Sequence, residues 1–63
     1  MTFRDWIAQK SPKTLGVVLG QKEGTIRMWA SRNVIPRDVW PDIMRRLPEI
    51  GLTDLLDMEA ASK

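Results

Sequence analysis

The segment from residue 12 to residue 31 constrains the fold of this chain more than any other part, because its apolar residues predict two short helices that face each other. Leu15 and Leu19 stand four residues apart, and Ile26 and Trp29 stand three residues apart. Residues at these spacings share one face of an α-helix. Each predicted helix therefore has an apolar face, and the two faces can close on each other to form a small core.

Two glycines favour this pairing of the helices. At Gly16 a missing side chain would let the second helix approach closely, and Gly20 supplies the turn with a residue that tolerates positive φ. The residues of the second helix that would then face outward are Lys22, Glu23, Gly24, Arg27, Met28 and Ser31. Such a charged outer face is also typical of an ordinary solvated helix. The glycines at fitting offsets favour a helix-turn-helix instead.

These residues resemble the helix-turn-helix of phage Cro and CI-type repressors. The matching positions are Leu15-Gly16, Leu19-Gly20, Ile26 and Trp29, followed by Asn33-Val34-Ile35-Pro36 and Val39-Trp40-Pro41. The resemblance covers residues 12 to 43. This segment is similar to the small Cro-like regulators in which a tryptophan ends the recognition helix. It implies a transcriptional regulator, most often a repressor, encoded in a phage or a similar mobile element.

Length and composition limit the other function classes. The chain has 63 residues, with no cysteine and no histidine, so we expect one domain over residues 1–63. The usual general base, nucleophile and zinc ligands are missing, and the acidic residues are scattered along helical faces. We therefore expect neither an enzyme nor a metal or cofactor site. A chain this short buries only about 60% of its unfolded surface, which favours a homodimer.

Charge is distributed unevenly along the chain. The net charge is +2; residues 1–46 hold nine Lys and Arg against four acidic residues, and residues 47–63 hold one Lys against four acidic residues. The basic part of the chain, residues 1–46, contains the motif, as binding to phosphates requires. Small asymmetries of charge also arise by chance in short chains. No apolar run reaches the length of a signal peptide core or a membrane span, so we expect a cytoplasmic protein without membrane contact.

The pattern along the whole chain predicts an all-α bundle of about five short helices, a lambda-repressor-like architecture. Thr2 is expected to open the first helix, whose inner face is Phe3, Trp6 and Ile7, and Ser11 to cap the second. The third helix is predicted over residues 22–31. A fourth starts near Arg37, with Pro41 in its first turn or at a kink. The apolar stripe of the fourth helix comprises Val39, Trp40, Ile43, Met44 and Leu47. The last helix is predicted over residues 53–60 with Thr53 as its cap.

If the third helix enters the major groove of double-stranded DNA, its outer residues are the candidates for reading bases. These are Arg27, Glu23, Met28, Lys22 and Gly24, and the candidates for binding phosphates are Lys13, Thr14, Ser31 and Arg32. Arg27 can donate two hydrogen bonds to guanine, and its alternative role is an i, i+4 ion pair with Glu23. Glu23 can accept from cytosine or complement the helix dipole. Met28 can contact a thymine methyl group or pack on the neighbouring turn.

The C-terminal helix offers a possible dimer interface. Its apolar residues Leu52, Leu55, Leu56 and Met58 can cover the core of their own chain or dock on a second copy. Val17 and Val18, on the face of the second helix expected to be wet, are either covered by this C-terminal helix or belong to an exposed contact patch. A dimer would read two half-sites of a palindrome. No segment resembles an inducer pocket, so no small-molecule ligand is expected.

A second hypothesis belongs to a different class: the same small helical fold would serve as a protein-interaction module, such as a phage inhibitor or an antitoxin-like protein. Exposed Val17, Val18 and Met28 favour it, whereas Lys22, Arg27 and Arg32 favour DNA. A non-specific nucleoid protein is a further alternative, but a net charge of +2 gives weak electrostatic attraction to DNA.

Overall fold

Five α-helices and one short 3₁₀ turn make up the fold, and there is no strand. The structure is a computed structural model that describes residues 1–63. Its elements are α1 (Phe3–Lys10), α2 (Pro12–Leu19), α3 (Glu23–Arg32), the 3₁₀ turn (Arg37–Val39), α4 (Trp40–Arg46) and α5 (Leu52–Ala61). The predicted all-α bundle of about five helices is confirmed.

The first two helices meet at one residue. Thr2 opens α1 as predicted: its hydroxyl accepts from the Asp5 N–H at 3.1 Å, and the Asp5 carboxylate accepts from the Thr2 N–H at 3.4 Å. Ser11 precedes α2, but its side chain makes no capping hydrogen bond, so the predicted cap is wrong. Ser11 is also the residue that ends α1, with φ 79°. Side-chain capping requires an extended N-cap backbone instead. Pro12 fits in the first turn of α2, because a backbone N–H at this position would have no acceptor within the helix and its absence costs no hydrogen bond.

The starts of the later helices differ from the prediction by a few residues. α4 begins at Trp40 after the 3₁₀ turn, which puts Pro41 in its first turn, where a missing N–H costs no helical hydrogen bond. The residue before α5 is Gly51, whose N–H donates to the Asp54 carboxylate at 2.9 Å. Thr53 therefore lies inside α5. Its predicted capping role is wrong, because Gly51 is the N-cap and the Asp54 carboxylate accepts from the N–H of Gly51.

The core contains twelve buried apolar residues contributed by every α-helix and by the segment before the 3₁₀ turn. They are Phe3, Trp6, Ile7, Leu15, Leu19, Ile26, Trp29, Ile35, Trp40, Ile43, Leu55 and Met58. The faces predicted for the first three helices are confirmed, and Ile35 is an addition that the periodicity did not indicate. The indole Nε1 of Trp40 donates to the Ile35 carbonyl at 3.1 Å, which joins α4 to the segment that follows α3.

The junction between α2 and α3 depends on two glycines. Gly20 adopts φ 66°, the left-handed conformation predicted for the turn. Gly16 is buried, and a β-carbon there would lie 2.8 Å from the backbone oxygen of Gln21. The Gln21 N–H donates to the Gly16 carbonyl at 2.8 Å, so the turn lies directly over Gly16. This close approach brings α3 against α2.

An ion pair connects the 3₁₀ turn to α5. The Arg37 guanidinium donates to both carboxylate oxygens of Glu59, at 3.2 and 2.5 Å. The same guanidinium lies 4.8 Å from the centre of the Trp40 ring, within the range of a cation–π contact. The hydrogen bond from Arg37 lowers the pKa of Glu59, and the hydrogen bond to Glu59 raises the pKa of Arg37.

Candidate nucleic-acid interface

The outer face of α3 is exposed along its length. Gly24, Arg27, Met28 and Ser31 are all exposed, and their spacing of i, i+3, i+4 and i+7 puts them on one side of the helix. We call these four residues the outer stripe of α3. The opposite side is buried through Ile26 and Trp29, so α3 is held by its inner side and presents its outer stripe to solvent.

The other residues predicted to contact DNA lie at the ends of α2 and α3. Lys22 is the exposed N-cap of α3, and Arg32 is exposed in its last turn. Lys13 and Thr14 are exposed in the first turn of α2. Ser31, which was predicted both to face outward and to bind phosphate, is exposed and lies within the outer stripe. The α3 boundaries, Glu23–Arg32, are one residue later than the predicted 22–31.

Arg27 and Glu23 form an ion pair on the surface of α3. The Nε and Nη2 atoms of Arg27 donate to the same carboxylate oxygen of Glu23, at 2.9 and 2.6 Å. The side chains are 66% and 42% exposed respectively, and exposed pairs at this spacing stabilise a helix by only about 0.3–0.5 kcal/mol. The pair occupies the Nε side of the guanidinium and leaves Nη1 without a protein partner. The i, i+4 pair weighed as an alternative role for Arg27 is therefore present in the free chain.

The C-terminal end of α3 is fixed by Arg4 of α1, a residue to which the sequence pattern assigns no contact. Its Nε and Nη2 atoms donate to the carbonyl oxygens of Ala30 and Ser31, at 3.0 and 3.1 Å. A cation at the C-terminal end of a helix complements the helix dipole. No local signal indicates this contact, since Arg4 and Ala30 are separated by 26 residues in the sequence.

Asn33 adds a second connection at the same end of α3. It adopts the left-handed conformation with φ 56° and ends the helix. Its side-chain oxygen accepts from the Arg4 N–H at 2.9 Å, an otherwise unpaired donor at the start of α1. The sequence contained a signal here that was not used, because asparagine after a helix often marks a left-handed C-terminal residue.

A shallow groove of about 400 Å³ runs between α1, the start of α2 and α3. Arg4, Arg27 and Ser31 provide its polar lining, while Ile7 and Pro12 lie among its apolar residues. The groove therefore places two guanidinium groups from different helices beside the outer stripe of α3. Both groups already donate within the chain, Arg4 to two carbonyl oxygens and Arg27 to Glu23, so only their remaining N–H groups are available to an anionic ligand.

The predicted dimer residues of the C-terminal helix divide into two pairs. Leu55 and Met58 are buried in the core of their own chain, at 0% and 5% exposure, whereas Leu52 and Leu56 are 53% and 41% exposed. Only the second pair is accessible to another chain, so the interface predicted over all four residues is reduced to Leu52 and Leu56.

The two valines of α2 also have different environments. Val17 is 78% exposed, which excludes its being covered by the C-terminal helix. Val18 packs against the core, and its carbonyl accepts from Nη1 of Arg46, in α4, at 3.1 Å. The exposed contact patch weighed for both valines is therefore limited to Val17.

No cluster of three or more His, Cys, Asp or Glu side chains suited to holding a metal ion forms in the structure. None of the helices combines the length and the hydrophobicity needed to cross a membrane. Comparison with known proteins adds no relative: no protein-family model matches the chain, and neither a curated protein nor a solved structure is significantly similar to it. The resemblance to Cro and CI-type repressors stays a prediction.

Proposed function

We propose that this chain is a sequence-specific DNA-binding transcriptional regulator that places the outer stripe of α3 in the major groove. The observation that carries the proposal is that α3 is held by one side and by its C-terminal end, while its other side is exposed. Its inner side is buried through Ile26 and Trp29, and its C-terminal end is hydrogen-bonded to Arg4. The opposite side is free along the whole helix. The major groove of B-DNA, about 12 Å wide, admits a helix presented in this way.

Arg27 is the main base-reading residue in this proposal. Its Nη1 atom has no protein partner, so the guanidinium can present its two Nη atoms to O6 and N7 of guanine while Glu23 holds the Nε side. Such a bidentate contact provides about 1–3 kcal/mol of discrimination between bases. Lys22 lies at the start of the same helix, and we expect it to contact a base or phosphate next to the guanine that Arg27 reads.

Phosphate contacts fix the position of the protein without reading sequence. Lys13 and Thr14 are exposed at the start of α2, and Ser31 and Arg32 are exposed at the end of α3. Arg4 joins this set because it lines the same groove as Arg27. Removing one of these cations should weaken binding to all DNA sequences about equally.

The proposal includes a homodimer. Leu52 and Leu56 stand four residues apart on α5 and are both exposed, so they form a small apolar strip that a second copy can cover. Two copies related by a twofold axis would place their α3 helices in successive major grooves about 34 Å apart. A cytoplasmic repressor of phage or mobile-element type is the role that the Cro-like resemblance suggests.

Selection from a pool of randomised duplex DNA, followed by sequencing, tests the proposal. At near-physiological salt we expect an enriched palindrome whose half-sites are about one helical turn apart. Arg27→Ala should remove the preference for one guanine in each half-site. Arg45→Ala is the matched control, because Arg45 is an exposed arginine of α4 that forms an ion pair with Asp42 of the same helix. Failure to enrich any sequence, with only salt-sensitive retention, would refute sequence reading.

A second candidate function is binding to a protein partner, and the observation that favours it is the exposure of Val17. An aliphatic side chain that is 78% exposed is available for a contact, and Arg27 is already paired within the chain. The double variant Arg27→Ala, Arg32→Ala separates the two functions from Val17→Asp. If only the Val17 variant abolishes the effect in cells, the partner is a protein and not DNA.

A further inference from the structure

Gly24 is the first residue of the outer stripe, and nothing inside the molecule requires a glycine there. Its φ is not positive, since Gly20 is the one glycine in the left-handed conformation. A β-carbon at Gly24 would have no atom within 4 Å. Glycine is unfavourable in a helix interior compared with alanine. The bare α-carbon therefore weakens α3 without improving the packing of the chain, which points to a role outside it.

The neighbours of Gly24 define the surface that this bare position leaves open. Arg27 and Met28 follow at i+3 and i+4, on the same side of the helix. Side chains in a helix lean back toward its N-terminus, so both side chains extend over the turn that contains Gly24. Met28 is 42% exposed. The bare α-carbon of Gly24 and the exposed side chain of Met28 therefore give this side of α3 a small apolar surface, which we call the notch, on the same side of the helix as Arg27.

We propose that this notch receives the 5-methyl group of a thymine next to the guanine read by Arg27. The inference rests on the proposed function and names a second base in each half-site. Thymine is the base that carries an apolar group in the major groove. The flexible, polarizable side chain of methionine adapts to such a group.

The other bases fit this notch poorly. Adenine and guanine need hydrogen-bonding groups in the groove, and neither Gly24 nor Met28 has a polar side chain. Cytosine presents an amino group and no methyl group in the major groove, and neither of these two side chains can accept a hydrogen bond from it. Apolar contact is thus the form of recognition that these two residues can provide.

Replacing thymine by uracil, one position at a time, in the duplex selected by the wild-type protein tests the inference. This exchange removes the methyl group and leaves the pairing unchanged. We expect about a fourfold loss of affinity at one thymine beside the Arg27 guanine, the equivalent of one buried methylene. In the Met28→Ala variant the thymine and uracil duplexes should bind about equally.

Gly24→Ala provides an independent test of the notch. It should weaken binding to the selected duplex while raising the melting temperature of the free chain, so that loss of folding is not the cause. Gly51→Ala, which adds the same methyl group at the start of α5, is the matched control and should leave DNA affinity unchanged.

Three results would overturn the inference while the proposed function stands. They are equal binding of every uracil duplex, a selected site without thymine beside the guanine, and unchanged DNA affinity of the Gly24→Ala variant. Selection of no sequence at all would overturn both the inference and the proposed function.

Discussion

Gly16→Ala should destabilise the chain, although alanine is normally the better residue in a helix. The added β-carbon would lie 2.8 Å from the backbone oxygen of Gln21 and 3.4 Å from the backbone nitrogen of Glu23. Real β-carbons essentially never come as close as the first distance. Both neighbours are backbone atoms of the turn, which cannot rotate aside as a side chain can. The turn between α2 and α3 must therefore move.

The expected magnitude follows from two opposing terms. Overpacking a well-packed site typically costs about 1–3 kcal/mol, and exchanging glycine for alanine in a helix returns about 1 kcal/mol. Because the clash is with backbone atoms, the overpacking cost lies in the upper part of that range, at about 2–3 kcal/mol, and the net loss in the free energy of unfolding is about 1–2 kcal/mol. For a chain of this size that corresponds to a fall in melting temperature of roughly 5–15 °C.

Gly24→Ala is the matched control, since it makes the same exchange in the neighbouring helix where no atom lies within 4 Å. It should stabilise the chain by about 0.5–1 kcal/mol. Urea denaturation followed by tryptophan fluorescence measures both variants, because all three tryptophans are buried. A Gly16→Ala variant as stable as the wild type would refute the close approach of the turn to α2.

Three further predictions concern caps, charge and the indole groups. Asn33→Ala should lower the free energy of unfolding by about 1–2 kcal/mol, because it removes a hydrogen bond and puts alanine in a left-handed conformation; Asn33→Gly should cost less, and equal losses would contradict this. Because Arg37 lowers the pKa of Glu59, their pair stabilises the folded chain above the ordinary glutamate pKa and loses this effect as the pH falls through the lowered value. Glu59→Gln should therefore flatten the fall in melting temperature between about pH 5 and 3, and an unchanged profile would exclude this contribution. Trp40→Phe should lower the free energy of unfolding, measured by urea denaturation, by about 1 kcal/mol more than Trp6→Phe. The reason is that the Trp40 indole donates to a backbone carbonyl, whereas the Trp6 indole has no acceptor. Equal losses in the two variants would contradict this prediction.

Local patterns in the sequence were sufficient to predict much of the fold. Helical spacing identified Leu15, Leu19, Ile26 and Trp29 as buried residues, since residues three and four apart share a helix face in any helical context. Thr2 was identified as a cap for a similar reason, because its partner lies three residues away. The outer stripe of α3 was predicted in the same way, as the side opposite the buried one.

Predictions failed or remained open where two local choices competed. Gly51 and Thr53 both precede the buried residues of α5, and Gly51 is the N-cap because its N–H donates to the carboxylate of Asp54. Ser11 has a residue type suited to capping, but it also ends α1, and the backbone conformation required there prevents the capping bond.

The sequence by itself determined which residues can form each helix and which side of that helix is apolar, because both depend on neighbours within about four residues. Only the tertiary structure decided how these sides are used: Leu55 is buried while Leu52 is exposed, and Arg4 holds the end of α3. Such contacts join residues far apart in the chain. They depend on how the helices cross, and that arrangement is set by the packing of the whole core.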